Sequence, residues 1–161
     1  AVGRIGLNSD YLYARGLEAG VSGAFGERVD PHAGIDGPIR TWRLGADLRK
    51  RLDSEVGPFT LTGEAATGED EEAAVWSGLA QADWLHPGRR WGLAAQYSLL
   101  NREAPGSNST DERASVVATR YFRNDVGNAA LHWIALGLEE QIQAPDGGED
   151  TFLLAQYYRY W

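Results

Sequence analysis

Hydrophobic residues recur with a period of two over long stretches of this chain. Trp42, Leu44, Ala46, Leu48 and Leu52 alternate with Thr41, Arg43, Gly45, Asp47, Arg49 and Arg51, broken only by Lys50. Leu17, Ala19, Val21 and Phe25 alternate with Gly16, Glu18, Gly20, Ser22 and Ala24. Phe59, Leu61, Gly63 and Ala65 do so with Thr60, Thr62 and Glu64, and Trp91, Leu93, Ala95, Tyr97 and Leu99 with Gly92, Ala94, Gln96 and Ser98. Successive side chains of a strand point to opposite faces, so this alternation predicts β structure with one apolar face. All six prolines (Pro31, Pro38, Pro58, Pro87, Pro105 and Pro145) stand outside the alternating stretches, as residues that cannot donate to a ladder must. Eight strand segments result: 11–27, 39–53, 59–67, 73–86, 90–103, 113–123, 128–143 and 151–161. Most run 11 to 16 residues, longer than the ~5–6 of a soluble strand and long enough for the ~9–11 that a tilted membrane strand needs.

Two segments leave their orientation open. In 113–123 either parity works, and the cost of an arginine facing lipid, about 2–4 kcal/mol at the midplane, turns Arg120 inward and Val117, Thr119 and Tyr121 outward. In 128–143 a helical stripe of Leu131, Ala135, Leu138 and Ile142 competes with strand alternation of Ile134, Leu136 and Leu138 against Ala135, Gly137 and Glu139, and the strand is preferred. The connections divide into a longer, polar set (28–38, 68–72, 104–112, 144–150) and a shorter set (54–57, 87–89, 124–127). Long loops on one side and short turns on the other is the layout of an outer-membrane barrel, with both termini on the side of the short turns.

Aromatic residues sharpen that expectation because they gather at strand ends. Phe25, Trp42, Trp76 and Phe152 lie beside the longer set; Tyr11, Tyr13, Phe59, Trp84, Trp91, Tyr121 and Trp161 lie beside the shorter. Trp76 and Trp84 share a parity eight residues apart, about 26 Å along a strand, as two interfacial girdles require. The girdle is expected at Phe25, Trp42, Trp76, Trp84, Trp91, Tyr121 and Trp161. Composition then excludes other classes. A net charge of −8, from 15 Lys+Arg against 23 Asp+Glu, argues against nucleic acid as a partner. No run of about 18 uncharged apolar residues occurs, which excludes an inner-membrane helical protein. The lack of cysteine removes disulfides, thiolate metal sites and thiol nucleophiles together.

The last strand, Thr151-Phe-Leu-Leu-Ala-Gln-Tyr-Tyr-Arg-Tyr-Trp161, ends on an aromatic and resembles the assembly signal of bacterial outer-membrane β-barrels. That resemblance implies recognition by the barrel-insertion machinery, although Arg159 departs from the apolar residue expected two before the end. GPFTLTGEAATGED, WSGLAQADWLHPGRRWGLAAQYSLLNRE and DTFLLAQYYRYW are similar to the C-terminal hairpins of phosphate-selective-type porins, over about half the chain. The single lysine, Lys50, and the acidic loops depart from the basic lumen that anion selectivity needs.

The expected fold is therefore all-β: an antiparallel up-and-down transmembrane barrel of about eight strands, one outer-membrane domain over 1–161. Residues 1–10 are left as a periplasmic extension or an extra strand, since the strand-like Val2–Leu7 has no obvious partner. An eight-stranded interior is just filled by side chains, so the chain is either a whole small barrel or a piece of a larger porin. Hairpin register sets Glu18 opposite Arg49 and Asp47 opposite Glu64. The expected lumen charge cluster is Glu18, Arg43, Asp47, Arg49, Glu64 and Arg120, read either as structural charge pairing or as a constriction that sorts permeants. The acidic stretches Glu69–Glu72 and Asp146–Asp150 suit a hard divalent cation or plain solvation. His32, His86 and His132 are scattered, without zinc spacing and without a clustered nucleophile, so no catalytic or cofactor-binding set is expected. The leading expectation is a porin-like passage in the outer membrane of a Gram-negative bacterium, for ion transport, with lipid bilayer and lipopolysaccharide as surroundings and room to associate with another membrane protein. The alternatives are a structural or adhesion barrel without transport, a soluble eight-stranded ligand-binding barrel, and a lipid-modifying barrel enzyme.

Overall fold

A computed structural model describes residues 1–8, 16–28, 39–70, 73–123, 132–145 and 148–159. They form one antiparallel meander of nine strands in sequence order, and among the described residues there is no helix. The strands are β1 (Val2–Asn8), β2 (Leu17–Arg28), β3 (Ile39–Leu52), β4 (Phe59–Asp70), β5 (Ala73–Leu85), β6 (Trp91–Ala104), β7 (Ser107–Arg123), β8 (His132–Gln143) and β9 (Asp150–Arg159). The count exceeds the expected eight because Val2–Asn8 does have a partner: it pairs with β2 along its whole length, from Val2–Ala24 to Asn8–Glu18. The ambiguous segment 128–143 is strand from His132 onward, not helix.

An odd number of strands moves the chain ends. Ala1 lies at the end of the sheet that carries residues 29–38, where its backbone exchanges hydrogen bonds with Phe25; β9 finishes at the opposite end. Both termini were expected on one side, and the extra strand overturns that. We call the 29–38 end upper and the 53–58 end lower. The division into long and short connections is also corrected. On the upper side β4 and β5 are separated only by residues 71–72, and β6 and β7 only by Pro105–Gly106, whereas 53–58 and 86–90 separate strands below. Most of the expected loop 104–112 is ladder, because backbone pairing continues from Leu99–Glu112 up to Ala104–Ser107 whatever the polarity of the side chains. The asymmetry survives in another form: polar strand, not loop, extends past the apolar residues at the top of β6 and β7.

Burial is as unusual as topology. No large side chain is fully buried among the described residues, and the buried apolar residues are Ala73, Val75, Ala135 and Ala144. Large apolar side chains stay exposed on one face, including Leu44, Leu48, Trp76, Leu93, Val116 and Leu136. Both edge strands are open on both faces, Val2 at 87% and Leu153 at 81% exposure being the extremes. Neither β1 nor β9 pairs with a further strand among the described residues.

Two glycines take up turns that other residues would strain. Gly106, at φ +79° after Pro105, suits the third position of a type II turn, and a Cβ there would meet nothing within 4 Å. Gly57, at φ +115°, carries a turn closed by Ser54, and its Cβ would stand 2.1 Å from the Leu85 carbonyl oxygen. Gly57→Ala should therefore cost about 1–3 kcal/mol in backbone strain before the clash is counted, and Gly106→Asn about 1 kcal/mol or less. Urea midpoints of the two refolded variants check the order; equal midpoints would contradict this account of the 53–58 turn.

Candidate functional site

Ladder register sorts every strand residue onto one of two faces, and charge collects on one of them. Across β2, β3 and β4, Glu18 stands opposite Arg49, and Asp47 stands between Gly20 and Glu64. Arg43 lies on the same face two rows above Asp47. This face also holds Arg4 of β1, which the sequence reading left out because it gave Val2–Leu7 no partner. The Arg4 guanidinium reaches over β2 to Asp47 on β3, with Nη2 donating to Oδ1 at 2.6 Å and Nε to Oδ2 at 3.2 Å. The route is open because β2 has Gly20 there. A Cβ at position 20 would lie 2.6 Å from Asp47 Oδ2 and 2.7 Å from Arg4 Nη2. Glu18 and Glu64 are near enough for their charges to act on Arg4 as well.

The same device recurs above. Arg43 reaches along the adjacent β4 and donates to Asp70 Oδ2 at 2.7 Å and to the Glu69 carbonyl at 3.1 Å. Its side chain passes over Gly68, where a Cβ would stand 2.6 Å from Arg43 Cδ. Asp70 and Glu69, expected in an acidic loop, are thus strand residues already engaged, Glu69 also accepting from the Trp42 indole at 3.1 Å. Glu71, Glu72, Asp146 and His32 lie outside the described residues. No group of three or more His, Asp or Glu able to hold a metal occurs among the described residues.

A second cluster sits on β7 and β8. Arg113 forks onto Asp111 at 3.0 Å through both Nε and Nη2 and reaches Glu139 at 3.3 Å; Gln141 donates to Asp111 at 2.9 Å. Arg4 and Arg113, five strands apart between theirs, line one cavity of about 620 Å³. The sheet therefore curls toward its polar face. A lower cavity of about 720 Å³ is lined by Glu18, Arg49, Arg51, Asp83 and Tyr121 among others.

No family model, curated protein or solved structure matches the chain.

Arg120 does not join the cluster. Register sets it opposite Trp91 and Ile134 on the apolar face, with its guanidinium carbon 4.4 Å from the Trp91 ring centroid. Val117, Thr119 and Tyr121 accordingly turn to the polar face, the reverse of the expected parity, and Tyr121 lines the lower cavity instead of joining a girdle. Arg120 sits at the lower rim, where a cation over an indole ring is well accommodated. That misassigned parity also hid Arg113, whose face follows from the same register. Phe25, Trp42 and Trp76 lie on the apolar face near its upper end, and Trp84 and Trp91 near its lower end. Trp161 lies outside the described residues. The Trp84 indole donates to the Val56 carbonyl at 2.8 Å, and Trp84 meets His86 edge-on at 5.9 Å. His132 is within 3.3 Å of the Tyr157 hydroxyl.

Arg120→Ala should destabilise the refolded protein by about 0.5–1 kcal/mol, the range of a cation–π contact at an exposed site. Arg120→Ala in a Trp91→Leu background should cost measurably less. A full-sized effect without Trp91 would contradict the contact.

Proposed function

We propose that this sheet is the wall of a Gram-negative outer-membrane β-barrel, its apolar face against lipid and its polar, concave face lining a narrow porin-like passage. One observation carries the reading: the faces are segregated and, among the described residues, no large side chain is fully buried. The accessible surface is 11631 Å², whereas a water-soluble monomer of 17.6 kDa has about 7,900 Å². Large apolar side chains such as Leu44, Leu48, Leu93, Val116 and Leu136 are exposed together on one face, so this face is suited to a non-aqueous neighbour.

The drift of the apolar band supports a barrel in particular. From Val21, mid-band on β2, the ladder leads through Ala46, Ala65, Gly78 and Leu99 to Glu112 on β7. The band on β7 and β8 is centred lower, near Ala118 and its partner Leu136. The band thus descends about one residue per strand, which at 3.3 Å rise and 4.8 Å strand spacing is a tilt of about 35°. Outer-membrane barrels tilt their strands by about 35–45°. Corrected for that tilt, Trp76 and Trp84 stand about 22 Å apart along the barrel axis, near the ~25 Å apolar height of such barrels.

Strand direction favours a barrel larger than this sheet. β1 and β9 run the same way, so an antiparallel ladder cannot join them, and bacterial barrels have even strand numbers. An odd number of further strands would complete the wall. The polar face carries both signs of charge, with carboxylates beside most arginines, so phosphate is not proposed as cargo. A soluble binding barrel would need its apolar face inward, yet the cavities are lined by Arg4, Asp47, Glu64, Arg49 and Asp83. Lipopolysaccharide, bilayer lipid and the barrel-insertion machinery are the partners this reading requires.

Two measurements test it. The protein should need detergent or lipid to stay monomeric and should migrate differently on a gel before and after heating. Single-tryptophan variants in brominated-lipid vesicles should be quenched strongly when Trp76 or Trp91 remains, and weakly when Trp133, on the polar face, remains. Uniform quenching, or a folded monomer without detergent, would reject the lipid-facing wall.

A further inference from the structure

We propose that Arg4 sets the ion preference of the passage, by partly neutralising the acidic wall that β3 and β4 present to the cavity. The inference rests on the passage reading above. On one side of the 620 Å³ cavity stand Arg4, Asp47 and Glu64; on the other stand Asp111 and Arg113. Arg113 is committed to two carboxylates, Asp111 and Glu139. Asp47 and Glu64 face each other directly across the β3–β4 ladder, and the cation in contact with that pair is Arg4, through Asp47. Arg49, diagonal to Glu64, opens instead onto the lower cavity with Glu18.

Arg4 is also an accessible cation. Its side chain is 58% exposed against 27% for Asp47, and both residues line the cavity. At 0.1 M salt the Debye length is about 10 Å, longer than the separation of directly facing strand residues, so each charge on this wall is felt by an ion passing it. Two carboxylates against one guanidinium leave the wall mildly acidic. Without the Arg4 charge it becomes strongly so, and with Asp47 neutralised it becomes balanced. Opposite shifts from two residues in one ion pair are the signature of a preference set by that pair, as in charged constrictions generally. Gly20 belongs to the device as a positioning residue, because any side chain there would push the guanidinium off Asp47.

The test is the reversal potential of the full-length protein in planar bilayers under a tenfold KCl gradient. Arg4→Gln should raise the cation-over-anion permeability ratio several-fold, Asp47→Asn should lower it, and Arg4→Lys should stay near the wild type. Heat-modifiable migration checks that each variant is folded; Asp47→Asn, nearly isosteric, decides alone if Arg4→Gln does not fold. A conducting wild type whose permeability ratio is unmoved by the folded variants overturns the role of Arg4 and leaves the passage reading standing. A folded wild type with no conductance overturns the passage reading, and the inference with it.

Discussion

A single layer of sheet has no interior, and the rest of this protein follows from that constraint. Each inner strand satisfies its backbone N–H and C=O groups through ladders on both sides, so no second layer is needed for hydrogen bonding. Side chains get no such shelter. Every residue faces one side of the sheet or the other, and the two sides must suit different surroundings. The period-two separation of Trp42, Leu44 and Leu48 from Arg43, Asp47 and Arg49 is how a single layer meets that demand.

Curvature adds a second demand, on the polar face only. As the sheet curls, side chains from strands far apart come to line one cavity, and a long cation must find an anion without filling the space. Arg4 and Arg43 solve this alike: each lies across the adjacent strand or along its neighbour's backbone, over a glycine, to a carboxylate. Gly20 serves as a clearance for the Arg4 guanidinium, and at Gly68 a Cβ would meet the Trp42 carbonyl oxygen as well as the Arg43 side chain. Pairs as exposed as Arg4–Asp47 add little to stability, since water and salt screen them. Their effect is to order the polar face; the ladder holds the sheet.

Strands β2, β3, β4 and β6 were legible in the sequence because each alternates strictly enough to declare both its existence and its faces, whereas β5 was marked by its bounds and by the shared parity of Trp76 and Trp84. β1 was legible as a strand but not as a neighbour: Arg4 makes sense only when Asp47 is seen two strands away. β7 was misread on two counts. Its upper part, Ser-Asn-Ser-Thr-Asp after Pro-Gly, has the composition of a loop, yet β6 supplies a ladder that needs only backbone groups. Its lower part satisfies either parity, and in mid-segment only Arg120 weighs against a lipid-facing position. The indole of Trp91 reverses that weight, and with it the faces of Arg113 and Tyr121.

The sequence by itself determined that the chain is β, that its strands are long, and which residues within most strands share a face. Those properties are local, set by the alternation of side chains along an extended backbone. Only the tertiary structure decided the ninth strand, the opposite ends of the chain, the face of β7, and the Arg4–Asp47 pair over Gly20. The physical reason is range. A period of two relates a residue to its neighbours along one strand, whereas an ion pair spanning an intervening strand, or a cation over a ring on the next hairpin, depends on curvature and register that no single strand encodes.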